Sequence, residues 1–150
     1  MVVLACSVAV VIRTKYVHAP VAAQNTDTVP NINVPFTYVV LPESVTLSSE
    51  QIAHTFSLLA PALSAYNQRP EVPAYRQGRP LDTYIYQLNA TITSTGSLIV
   101  HVTALPPRQE SDPLWKVSSI DVADGGPEYF DATVDLAVNA VTDIFVHGEA

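Results

Sequence analysis

Between Asp82 and Leu105 the chain alternates. Tyr84, Tyr86, Leu88, Ala90 and Ile92 share one parity; Thr83, Gln87, Asn89, Thr91 and Thr93 share the other, with Ile85 the only large apolar residue among them. Beyond Gly96 the alternation resumes, with Leu98, Val100, Val102 and Ala104 opposite His101 and Thr103. A period of two marks half-buried strands, so this stretch predicts an antiparallel hairpin. Parity also predicts its turn. Cross-strand partners point the same way, so Ile92 must face Leu98 and Ala90 must face Val100. The loop is then Ser94-Thr95-Gly96, closed by Thr93 and Ser97, with Gly96 where a left-handed backbone is needed. A two-residue Thr95-Gly96 loop would set even against odd positions and break the apolar face.

Upstream the period changes. Ile52, Phe56, Leu59, Leu63 and Tyr66 recur at helical spacing and form one stripe, with His54, Ser57 and Ser64 off it. Ser48 and Gln51 have the spacing of a capping box, and Leu47 with Ile52 that of a hydrophobic staple. A helix is predicted over 49–66, broken or kinked near Pro61, which lacks an N–H and crowds the Ser57 carbonyl. Phe36–Leu41 reads as a short strand ended by Pro42. Leu114–Val122 reads as another strand, and its phase slip at Ser118-Ser119 predicts a bulge. Asp124-Gly125-Gly126-Pro127 is a turn.

The last segment, Tyr129–Val146, satisfies both periods. Val134, Ala137, Val138, Val141, Ile144 and Phe145 make a helical stripe, while Val134, Leu136, Val138, Ala140, Ile144 and Val146 alternate. An Asp131 N-cap, an acidic start and a His147-Gly148 end favour a second helix over 131–146, against the low helix propensity of valine. The expected fold is α+β: one domain over 1–150, with a single antiparallel or mixed sheet of about four to five strands centred on the 82–105 hairpin. Two helices, 49–66 and 131–146, pack on one face. An extended arm (about 1–35) and a Pro-rich loop (67–80) lie outside this core.

Val2–Ile12 is an almost unbroken apolar run. It is shorter than the ~20 residues that span a bilayer. Three readings stay open: a buried strand continuing to Val17, the remnant of a secretory signal in which Cys6 is lipidated, and a membrane-dipping anchor followed by Arg13 and Lys15. The strand is the favoured one, for its valines and Ile12.

Composition changes the picture in one respect. Charged residues make up 14% of the chain, against roughly 25% in a typical soluble domain. So uncharged a surface suits contact with other protein or lipid. The net charge of −7 argues against nucleic acid as a partner, because phosphate contacts need Lys and Arg. The lone cysteine, Cys6, excludes an intrachain disulfide and a cysteine zinc site.

The chain contains no nucleophile elbow, zinc-protease, phosphate-loop or dinucleotide motif, and its four histidines are scattered. No cofactor is implied. The acids Asp121, Asp124, Glu128, Asp131 and Asp135 cluster around Gly125-Gly126, but not with the spacing of a calcium loop. The one basic concentration is Arg69, Arg76 and Arg79, on a loop that also carries Tyr75. These arginines and Tyr75 could meet Asp121, Asp124 and Glu128 of another subunit across a heterologous interface. The expectation is a non-enzymatic structural or assembly subunit working by protein–protein contacts in a homo-oligomer or larger complex, such as a tail, neck or capsid-associated virion component. The alternative is a membrane-tethered, lipoprotein-like accessory protein of the bacterial cell envelope, anchored through Cys6 or the apolar run.

Overall fold

The computed structural model of the chain describes residues 34–122 and 125–148. The strand expected over residues 2–17, Cys6 and Asp124 lie outside them. Five strands form one sheet in chain order: β1 (Thr37–Val40), β2 (Ile85–Ile92), β3 (Leu98–Leu105), β4 (Phe130–Asp135) and β5 (Ala140–Val146). One helix, α1 (Ser49–Asn67), packs on the sheet. β1 and β2 are parallel, since α1 carries the chain back between them; the other neighbours form an antiparallel meander. This is the single-sheet α+β class read from the sequence.

The hairpin has the expected register, with Ala90 opposite Val100 and Ile92 opposite Leu98. The Thr93 N–H donates to the Ser97 carbonyl and the Gly96 N–H to the Thr93 carbonyl, both at 2.9 Å. Gly96 has φ 86°, a conformation that costs glycine nothing. Of the even-numbered apolar set, Tyr84, Tyr86, Leu88, Ala90, Val100 and Val102 are buried. Ile92 departs from the expectation. It ends β2 beside the turn, where little packs on it, and is 62% exposed.

The α1 start is the predicted capping box: the Gln51 N–H donates to Ser48 Oγ at 3.2 Å and the Ser48 N–H to Gln51 Oε1 at 2.8 Å. The whole stripe from Ile52 to Tyr66 is buried, each side chain contributing about 1.5–3 kcal/mol. The Phe56 ring centroid lies 4.9 Å from those of Phe36 and Tyr86. The helix runs on through Pro61, contrary to the expected break. Pro61 is on the exposed side, and the buried Leu59 and Leu63 on either side of it keep the helix seated. His54 Nε2 lies 2.7 Å from Asn139 Oδ1, joining α1 to the β4–β5 turn.

The helix expected over 131–146 is instead β4, a turn and β5. Asp135, within that segment, stops the alternation: its Oδ1 accepts the N–H groups of Ala137 and Val138, and Asn139 takes φ 55° to close the turn. The register shift between Thr133 and Val134 leaves Thr142 as an extra residue, since Thr133 pairs with Asp143 and Val134 with Val141. That bulge advances the apolar phase by one position, so a true hairpin mimics a helical stripe. The strand expected over 114–122 is also absent. Asp112 caps a 3-10 turn at Pro113–Lys116 by accepting the Leu114 N–H, and the chain beyond it is irregular.

Candidate functional site

The odd-numbered positions of β2 and β3 face away from α1. These are the positions that the alternation marks as polar. Gln87 on this face is 2% exposed. Its amide Nε2 donates to the carbonyls of Trp115 (2.6 Å) and Ser118 (2.8 Å), and its Oε1 accepts the Ile120 N–H at 3.0 Å. The covering neighbour is thus the chain's own segment 106–122. Trp115 is buried there beside Ile85, Leu105 and Tyr129, with Val39, Ile120 and Val122 partly buried around them. The apparent bulge at Ser118-Ser119 is where the backbone bends to meet Gln87.

Among the described residues the rest of the outer face is open. Thr91 and His101 are exposed; Asn89 and Thr133 are half-buried. Cross-strand rows Asn89–His101–Thr133–Asp143 and Thr91–Ile99–Asp135 run over it. Two of its three aspartates have internal work. Asp135 caps the turn, and Asp131 accepts the Thr103 hydroxyl proton (2.8 Å) while lying 2.8 Å from His147 Nε2. His147 is buried, 6% exposed. The carboxylate sits between hydroxyl and imidazole, and its two contacts tie β3, β4 and the residue after β5 together.

A charged end adjoins the covered half. Arg79 meets Glu128 at 3.1 Å, and Arg108 meets the other oxygen of the same carboxylate. The Arg108 hydrogen bond, with both arginine charges, holds the Glu128 carboxyl below its usual range, and Glu128 raises Arg108 in return. Tyr84 reinforces the same join: its hydroxyl accepts the Arg79 N–H at 2.7 Å and donates to the Pro127 carbonyl at 2.8 Å. Burial pushes both Tyr84 and Tyr86 above the usual phenol range, so they remain hydrogen-bond donors.

Of the residues singled out by sequence, the structure brings Arg79 and Glu128 together, within one chain. Arg76 lies beside Gly148. Tyr75 is 56% exposed, with the Arg76 guanidinium 5.9 Å from its ring centroid. Arg69 stacks over Tyr66 at 5.3 Å, and Asp121 is exposed. The Pro-rich loop is pinned at its base, where Asn67 exchanges two 2.8 Å hydrogen bonds with the Gly78 backbone. Gln87 and Arg108 escaped sequence reading. Gln87 had one signal, a long amide within an otherwise short-chained polar row.

Hollows flank α1 on more than one side. An apolar groove of about 510 Å³ runs between Phe36, Ala60 and Leu63 on one wall and Gly78–Asp82 on the other. A gap of about 410 Å³ separates Ala62, Ala65 and Arg69 from Val141–Ile144 of β5. Among the described residues no cluster of three or more His, Cys, Asp or Glu could hold a metal ion, and no helix is long and apolar enough to cross a membrane. Comparison of the chain with family models, curated proteins and solved structures finds no match.

Proposed function

We propose that this chain is a non-enzymatic assembly subunit that works by protein–protein contact, and that the open half of the outer sheet face is its contact surface. One observation carries the reading: none of the residues in the five strands is Lys or Arg. A surface left facing water usually carries charges of both signs, about 25–35% of its residues. Here the open rows offer amide, hydroxyl and imidazole groups, with Asp143 the one carboxylate in those rows that makes no side-chain hydrogen bond among the described residues. A virion or an envelope complex is the setting this favours, as places where a subunit surface meets protein more than water.

A photo-crosslinking side chain placed in turn at Thr91, His101 and Thr133 of the full chain, in the cells that make it, tests the surface. Protein adducts are expected at these positions and not at Ser64, on the exposed side of α1. Failure to form adducts at all three positions would remove the reading.

A second reading rests on another feature, the Val2–Ile12 apolar run with Cys6 inside it. A membrane-tethered accessory protein would carry a diacylglyceryl group on Cys6. The intact mass of the native chain decides: an unmodified Cys6 leaves the assembly reading in place.

A further inference from the structure

We propose that the apolar groove beside α1 is the seat of the chain's own Val2–Ile12 run. This goes beyond the assembly reading and does not depend on it. The groove is longer than its 510 Å³ hollow. A second hollow of about 240 Å³, bounded by Val34, Pro35, Ala53 and Ser57, shares Phe36, Ala60 and Leu81 with the first. The two make one channel along α1 from Ala53 to Asn67, about 21 Å at 1.5 Å per residue. Its walls are held in place. Asn67 exchanges two 2.8 Å hydrogen bonds with the Gly78 backbone, and the Tyr86 hydroxyl donates to the Leu81 carbonyl at 2.6 Å. The Phe36 ring rests on those of Phe56 and Tyr86. A preformed channel with such apolar walls takes an apolar occupant at little cost in reordering.

Where the chain enters the fold selects the occupant. The described chain begins at Val34, which with Pro35 lines the mouth of the channel, so residues 1–33 are joined to the groove itself. Within them, Ser7 is the only residue of Val2–Ile12 that is not apolar. A channel of about 21 Å holds roughly six extended residues at ~3.3 Å each, about half of that run. The connection from Arg13 to Asn33 reaches at most about 75 Å, more than three times the channel's length, so the run can lie along it in either direction. Joined in this way, the run meets the groove at an effective concentration of millimolar order, above that of a free partner of the same composition. The helix agrees. Glu50 is its only Asp, Glu, Lys or Arg, and the flank bordering the channel exposes Ser57, Ala60 and Ser64. A helix side that faces water ordinarily carries charge; this one suits a chain laid against it. In that seat the run completes the cover over Phe36 and Leu63, and Cys6 faces the chain's own core and not a bilayer.

Cys6 supplies the test. Any six consecutive residues of the run contain Cys6 or begin just after it, so a seated run brings that thiol into or beside the channel. Ser57→Cys, Ala60→Cys and Asp82→Cys, made singly in the full chain at exposed positions along the channel, are oxidised in dilute solution. At least one should form a disulfide with Cys6 inside one chain, identified by peptide mapping. Ala65→Cys, exposed on the opposite flank of α1, should not. Trypsin gives a second readout without a new thiol. Cleavage after Arg13 and Lys15 should be several-fold faster in Ala60→Arg, which sets a charge in the channel, than in the wild type. No intrachain disulfide at any of the three positions, or as much at Ala65→Cys, overturns the proposal, as does cleavage indifferent to Ala60→Arg. A disulfide found only between two chains also overturns it and gives the groove to the run of a second copy. A diacylglyceryl group on Cys6 of the native chain overturns it in favour of a membrane. The photo-adducts at Thr91 and His101 report on the other face of the sheet, so the assembly reading stands or falls separately.

Discussion

The outer face of the sheet has two halves made of the same strands, and they meet opposite fates. Where β2 begins and β3 ends, Ile85, Gln87 and Leu105 are roofed by segment 106–122. Toward the other end of these strands and across to β5, Thr91, His101, Thr133 and Asp143 have no roof among the described residues. The alternation that assigns both halves to one face is the same. The difference comes from what stands at the polar positions. Gln87 can bind three backbone groups at once, which lets an irregular segment with no ladder of its own be buried without orphaned carbonyls. Thr133 and His101 on the open part contact each other, and neither they nor Thr91 holds a backbone group by its side chain among the described residues. A single long amide therefore decides which half becomes core and which stays surface.

The largest test of that contrast is to remove the roof's anchor. Trp115→Ala should cost about 3–5 kcal/mol, seen as a lower denaturant midpoint and faster hydrogen exchange over 106–122. The indole Nε1 is buried with no partner among the described residues. Trp115→Phe, which keeps most of the packing and drops that N–H, should therefore cost far less than the alanine change. Equal losses for the two would mean that the roof is not held by packing on Trp115.

Gln87→Leu comes next. It leaves the Trp115 and Ser118 carbonyls and the Ile120 N–H without their partner, at roughly 1–3 kcal/mol for each group that water cannot reach. Ser118 is exposed and Ile120 half-buried, so water can replace part of the loss and the total should fall below that of Trp115→Ala. The change should speed exchange within 115–120 while sparing β3 to β5. A uniform loss across the sheet would show that Gln87 supports the whole fold and not one half of its outer face.

The carboxylate at the margin of the roof gives a smaller, pH-dependent effect. Glu128 ties Arg108, at the start of the covering segment, to Arg79. Its folded pKa lies below the unfolded value. The contribution is therefore complete above the unfolded pKa, about 4.3, and is lost as pH falls through the lower folded value. Glu128→Gln should cost under about 1 kcal/mol near neutral pH, as expected for a solvent-screened pair. The cost should vanish in acid, where the wild-type carboxylate is also neutral. Thermal melts of both chains across that window should converge as pH falls; a constant offset would assign the effect to shape and not to charge.

How much of this was legible follows from which interactions are local. The hairpin register, the Gly96 turn and the Ser48–Gln51 box depend on residues within a few positions of each other, and parity or spacing declares them. The strands at 130–146 were obscured by one bulged residue, Thr142, which makes a period of two imitate a period of 3.6 in a short, valine-rich window. The roof was misread because Leu114–Val122 is apolar enough for a strand, while the group that shapes it, Gln87, lies 28 residues from Trp115. Charge types were visible, but not their pairing. The arginines and acids chosen as opposite sides of an interface include Arg79 and Glu128, which meet inside one chain through a fold that no local pattern announces.

The smallest stability effect carries the contact proposal. Thr91 is exposed on the open half, opposite Ile99, and makes no side-chain hydrogen bond among the described residues. Thr91→Lys should change stability by no more than about 0.5 kcal/mol, the range for surface positions away from caps and cores. It also places a cation on strands that have no Lys or Arg, and a partner covering that face would have to bury the charge unpaired. If the open half is a contact surface, this variant melts like the wild type yet loses the photo-adducts formed from His101. If adducts survive unchanged, the absence of lysine from the strands is composition without consequence, and the two halves of the outer face differ only in what covers them.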